Sequence, residues 1–160
     1  MASMVKSWMA IALVTFLVAF GGVLFKPRDL KWAIQLRRPK WLTFEPLIPV
    51  IWTVVFICGA WSANIVWQHE PGSAKTWLLM GLYLLLEIIT VSYTSVTLRL
   101  RSLLVGTILG GSGAVLSVIL AIAIFPISHL AAGLLLPYII WSPVGTYTTE
   151  EMIQLNPSAE

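Results

Sequence analysis

The stretch LLVGTILGGSGAVLSVILAIAIF, residues 103–125, contains no charged side chain and has no turn residue other than small, helix-compatible glycines. A helix rises about 1.5 Å per residue and the hydrocarbon core of a bilayer is about 30 Å thick, so roughly 20 apolar residues cross it. The run is long enough to do so. Four other stretches read the same way, and together they predict spans over residues 7–25, 46–67, 76–98, 103–125 and 127–147. The expected fold is thus an all-α integral membrane protein, a bundle of five transmembrane helices forming a single domain over 1–160.

Composition agrees. The chain of 160 residues is 58% hydrophobic and 11% charged, with a mean hydropathy of +0.88, far from the balance of soluble domains. The apolar run after Lys6 is compatible with a secretory signal, but Lys26-Pro27-Arg28 follows it in place of a small-x-small cleavage site, so it is expected to be retained. Cys58 is the only cysteine and lies inside the second predicted span, where it acts as small apolar filler.

Five spans put the termini on opposite sides and divide the ten Lys and Arg residues unequally. Lys26, Arg28, Lys31, Arg37, Arg38, Lys40, Arg99 and Arg101 share one side, while Lys6 and Lys75 fall on the other. The positive-inside rule then places the N-terminus outside and the C-terminus, with Glu150, Glu151 and Glu160, in the cytosol. The basic cluster suits orientation and anionic lipid headgroups rather than nucleic acid. Within it, Leu30, Trp32, Ala33, Ile34 and Leu36 alternate with polar residues, the pattern of a short interfacial helix.

Inside the predicted spans, Gly106, Gly110 and Ala114 form a stripe that lets a neighbouring helix approach, within the monomer or in a dimer. Glu87, the only charged residue there, is expensive to ionise in hydrocarbon and is expected to be protonated or paired. Asn64, Thr90, Ser92, Tyr93 and Ser95 are explained by interhelical hydrogen bonds. Pro137, in the middle of the last span, is expected to free a backbone carbonyl beside a pocket. Of the eight tryptophans, Trp8, Trp32, Trp41, Trp67 and Trp77 suit an interfacial belt, while Trp52, Trp61 and Trp141 lie deeper. Trp52, Phe56, Gly59, Ala63 and Trp67 share one helical face with aromatic ends and a small middle, against which a flat apolar molecule fits. No metal-ligand cluster, phosphate loop or Ser-His-Asp arrangement stands out, which argues against hydrolysis, phosphoryl transfer and a bound metal or cofactor.

The run from Lys31 to Trp41 (KWAIQLRRPKW) resembles the W-Y-x-x-L-x-K-P-x-W motif of the TspO/MBR family, the translocator or tryptophan-rich sensory proteins, and Ile51-Trp52-Thr53 resembles its V-W-T segment. Leu134 to Trp141 (LLLPYIIW) resembles its L-L-x-P-Y-x-x-W, and Gly145-Thr146-Tyr147 its A-T-Y. The resemblance implies a five-helix bundle, often a homodimer, with a pocket for porphyrins, sterols or synthetic aromatic ligands opening toward the side of the first loop. It places Trp52 and Trp141 at the pocket and, should the protein degrade porphyrin in light, makes them the catalytic pair. With Pro137 and Tyr138 from the matched motif, and Phe56 and Tyr93 from neighbouring positions, they form the expected ligand site. The third span departs from the family's Q-L-x-L-N-x-x-W, with Thr90 and Tyr93 in place of the asparagine and tryptophan. A cholesterol-recognition pattern fails, since no Lys or Arg follows Tyr147.

The reading ranks first the binding, sensing or transport of a porphyrin-like or other flat hydrophobic ligand, because this needs only a cavity and aromatic walls; the alternatives are light-dependent oxidative degradation of protoporphyrin IX and a structural or interaction role. A bacterial cell membrane is the expected location, an organelle membrane the alternative.

Overall fold

The computed structural model describes residues 6–21 and 26–159. Among them the chain is helical: α1 (Ser7–Gly21), α2 (Pro27–Gln35), α3 (Ile48–His69), α4 (Ala74–Leu100), α5 (Leu103–Ile124), α6 (His129–Gly133) and α7 (Leu136–Leu155), with 3-10 turns at Glu45–Leu47 and Pro157–Ala159. Local chemistry marks the boundaries. Ser73, Ser102 and Ser128 each accept a backbone N–H from the first turn of α4, α5 and α6, satisfying donors that have no partner inside the helix. Proline stands in the first turn of α2, α3 and α7, where its missing N–H costs nothing. Arg101 ends α4 in the left-handed conformation, φ 53°.

Four segments are long and apolar enough to cross a membrane: Glu45–His69, Ala74–Leu100, Leu103–Ile124 and His129–Leu155. The shorter α1 is apolar too, but its 15 described residues measure only about 22 Å. Residues 22–25, with which the first predicted span ends, lie outside the described residues, as does Glu160.

Helix α5 packs against α4 on one side and α7 on the other, α3 meets α6 and α7, and α1 rests on α3 and α4, so the bundle closes in the order α1, α3, α6/α7, α5, α4. The core holds Val66, Leu120, Ile124 and Leu135, all buried. Large apolar side chains also cover the outside, with Ile122 69% and Ile140 65% exposed. Such a surface is stable only against lipid, and helices are the elements that satisfy their own backbone there.

The last predicted span, residues 127–147, is corrected in two ways. The chain breaks between α6 and α7, and Pro137 stands in the first turn of α7, not in mid-helix. At the break the Leu135 N–H bonds to the Ala132 carbonyl at 3.1 Å. The Ala131 carbonyl instead accepts from Ser62 Oγ at 2.7 Å. The helix also runs past Tyr147 to Leu155, with Pro143 inside it. Its polar last turns are held by the first connection: Trp41 Nε1 donates to Glu151 at 2.6 Å, and the Asn156 side chain bonds both backbone groups of Arg37.

The short helix expected in that connection is α2. Arg101 at the end of α4 pairs with its Asp29 at 3.6 Å, so the first connection, the α4–α5 turn and the C-terminal end of α7 gather at one end of the bundle.

Candidate functional site

A cavity of about 310 Å³ lies between α3, α4, α5 and α7 below the first connection. Helix α3 contributes Ile48, Pro49 and Trp52; α4 contributes Ile89, Thr90, Tyr93 and Thr94; α5 contributes Leu109 and Gly110; and α7 contributes Tyr138, Trp141, Ser142, Gly145 and a run of threonines. Arg38, Leu42 and Glu45 close the end nearest the connection.

Of the residues expected from sequence, Trp52, Tyr93, Tyr138 and Trp141 come from three helices and line this one cavity. Phe56 lines a much smaller void of about 30 Å³ beside it, whose boundary Thr90 and Tyr138 share with the larger cavity. Pro137 lines neither, and Trp61 is exposed on the outer face of α3. The Trp52 ring meets Tyr138 edge to face, with centroids 6.0 Å apart at 71°. Trp141 meets Phe44 at 6.2 Å and 64°, and Phe44 leads through Trp41 to Tyr147. These offset and edge geometries suit aromatic quadrupoles, and they fasten the first connection to α7 beside the cavity.

The opposite wall carries hydroxyls, and their protons can be assigned. Thr90 donates to the Leu86 carbonyl at 2.7 Å, so its bond of 2.8 Å with Tyr138 uses the phenol as donor. Thr149 donates to the Gly145 carbonyl, so Tyr93 is the donor in its bond with Thr149. Thr146 and Thr148 donate to carbonyls one turn back. This wall therefore offers a ligand acceptor lone pairs and methyl groups, with few free donors. The two positions where α4 departs from the family motif, Thr90 and Tyr93, are those that bond to α7 across the cavity.

At the end of the cavity Arg38 Nε pairs with Glu45 at 2.9 Å, and its Nη1 donates to the Leu36 carbonyl at 2.8 Å. The guanidinium is fixed by its own loop.

Three glycines of α5, Gly106, Gly110 and Gly113, face other helices of the same chain. A Cβ on Gly106 would meet Thr97 and Thr149, and one on Gly110 would meet Thr146. Gly113, which sequence reasoning passed over, is the closest approach, since a Cβ there would overlap the Tyr138 hydroxyl. It lies seven residues from Gly106, two helical turns along the same face; Ala114 is half-buried one position further on.

These features define a helical membrane protein with an aromatic cavity inside the bundle, closed at one end by a loop. The TspO/MBR family profile matches residues 10–155, and the chain belongs to that family. It is 27% identical to the tryptophan-rich protein TspO of Bacillus cereus over 91% of this chain and 96% of that one. It is 26% identical to the membrane protein YtaB of Bacillus subtilis over 92% and 95%, and 27% identical to the tryptophan-rich protein TspO of Chlorobaculum tepidum over 88% and 89%.

Proposed function

We propose that the protein binds a flat, hydrophobic ligand of the porphyrin class in the cavity between α3, α4, α5 and α7, to sense or move it. The observation that carries this reading is the convergence of Trp52, Tyr93, Tyr138 and Trp141 on one cavity. Indole and phenol rings supply faces for a planar ring system. The acceptor-rich threonine wall suits pyrrole N–H groups. A second reading, light-dependent oxidative breakdown of protoporphyrin IX, is favoured by the presence of both Trp52 and Trp141 in that cavity. There the indoles would be the catalytic residues.

The same proposal extends to architecture. Helix α1 is the start of a fifth span, its apolar sequence continuing to Phe25. The basic end of the bundle faces the cytosol, as the positive-inside rule requires, and a bacterial cell membrane is the natural location for a relative of these bacterial proteins. Homodimerisation would use the outer faces, since Gly106 and Gly110 are taken up within the chain.

Titration of the detergent-solubilised protein with protoporphyrin IX tests the reading. Saturable binding is expected, weakened by about fivefold or more in the Trp52→Ala/Trp141→Ala double variant, as two aromatic contacts of about 0.5–1.5 kcal/mol each imply. Full affinity in the double variant would overturn it. Under illumination, faster loss of the Soret band than with ligand alone would establish the breakdown reading.

A further inference from the structure

A second, larger space lies on the other side of the bundle. It is a groove of about 600 Å³ between α1, α3 and α4, walled by Ile11, Val14, Ala63, Met80 and Leu84 among others. Two features distinguish it from a gap between helices. Glu87, the one charged residue in the middle of α1, α3, α4 or α5, lines it. At the far end stand Trp67 and Trp77, edge to face with centroids 4.9 Å apart.

Among the described residues Glu87 has a hydrogen-bond partner but no cation. Thr15 Oγ1 donates to its Oε1 at 2.7 Å. The ion pairs among the described residues, Arg38 with Glu45 and Arg101 with Asp29, both sit at the basic end of the bundle. A carboxyl group at mid-membrane is costly and is normally matched by a partner. Among the described residues the partner is a neutral hydroxyl, and the groove leaves space beside the acid. A basic nitrogen there would share one proton with the carboxyl group and form the missing charge-assisted bond. Ten residues of α4 separate Glu87 from Trp77, which is about 15 Å along the helix, so an apolar tail of that length reaches the indole pair.

We infer that the groove between α1, α3 and α4 is a second binding site, distinct from the porphyrin cavity, which takes a lipophilic amine with its nitrogen at Glu87 and its apolar tail against Trp67 and Trp77. The source of selectivity is the carboxyl group, because a neutral molecule of the same shape gains only the apolar contacts.

The test uses the full chain in lipid nanodiscs and two probes of equal length, a brominated long-chain dimethylamine and the corresponding brominated alcohol. Bromine quenches indole emission on contact. The amine is expected to quench saturably and to bind at least about tenfold more tightly than the alcohol. Glu87→Gln is expected to abolish that preference. Gly81→Leu is expected to remove binding of both probes: Gly81 lines the groove, and a Cβ there meets nothing within 4 Å, so a side chain can start from this position without a clash at its root. Helicity and melting of each variant check its folding. Equal affinity for amine and alcohol in the unmodified protein, or a preference that survives Glu87→Gln, overturns the proposal and leaves a groove for lipid chains. Non-saturable quenching by both probes also overturns it, as expected where lipid or a second copy covers the groove. Equal affinity in the unmodified protein overturns the proposal even where a variant does not fold, and the comparison is independent of porphyrin binding.

Discussion

Tyr138 concentrates much of what single residues do here. Its ring packs on Trp52, its hydroxyl donates to Thr90, and the same hydroxyl lies where a Cβ on Gly113 would go. Glycine at 113 is therefore required by a close approach and not by backbone conformation. Gly113→Ala is expected to cost about 1–3 kcal/mol by overpacking, read as a lower midpoint of unfolding in detergent. Adding Tyr138→Phe removes the oxygen in the way, so the double variant should recover part of that loss, with a coupling of about 1 kcal/mol. Strictly additive costs would show that Tyr138 swings aside freely. The family resemblance pointed to Tyr138 and Trp141 through the proline-tyrosine motif, but no spacing rule pointed to Gly113, because its partner is far away in sequence.

At the scale of elements, the break between α6 and α7 is the feature hydropathy could not show. Apolar residues run through it, so the sequence reads as one span, while the Ala131 carbonyl turns aside to Ser62. Ser62 is fully buried and has one proton, given to that carbonyl, so Tyr83 donates in the Ser62–Tyr83 contact of 2.6 Å. Ser62→Ala leaves both a carbonyl and a phenol unpaired and should cost about 1–2 kcal/mol. Tyr83→Phe leaves the Ala131 carbonyl paired with Ser62 and should cost less. Equal losses in denaturant titrations of the two variants would mean that the Ala131 carbonyl finds another partner. Helix α1 illustrates the same logic. It is apolar and largely exposed, and two polar bonds register it, Ser7 to Asn64 at 3.0 Å and Thr15 to Glu87.

For the whole molecule, the sorting of charges gives the most direct prediction. In a Cys58→Ala background, Glu70→Cys should react with an impermeant thiol reagent on intact cells, and Lys40→Cys only after permeabilisation. The reverse pattern would overturn the proposed orientation. The structure adds contacts that tie this end of the bundle together: the Arg101 side chain reaches Asp29, the Arg37 backbone meets Asn156, and Trp41 meets Glu151. The loop that carries most of the positive charge thus also binds the ends of α4 and α7 and closes the candidate cavity.

Hydropathy and turn chemistry by themselves determined that the chain is a helical membrane protein, and the proline and tryptophan motifs placed it in its family. Those signals are local: each is written in a run of about 20 residues or in a fixed spacing, and lipid enforces it whatever the neighbours are. The resemblance named Trp52, Tyr93, Tyr138 and Trp141 for one site, but tertiary structure alone decided that Phe56 lines a side void, that Pro137 lines neither space and that Trp61 faces outward. It alone decided that Gly106, Gly110 and Gly113 pack within the chain and that Glu87 meets Thr15. These outcomes depend on how each helix is rotated about its axis. In a bundle whose outer face is as apolar as its core, the hydrophobic pattern carries little information about rotation, and packing and buried hydrogen bonds fix it instead.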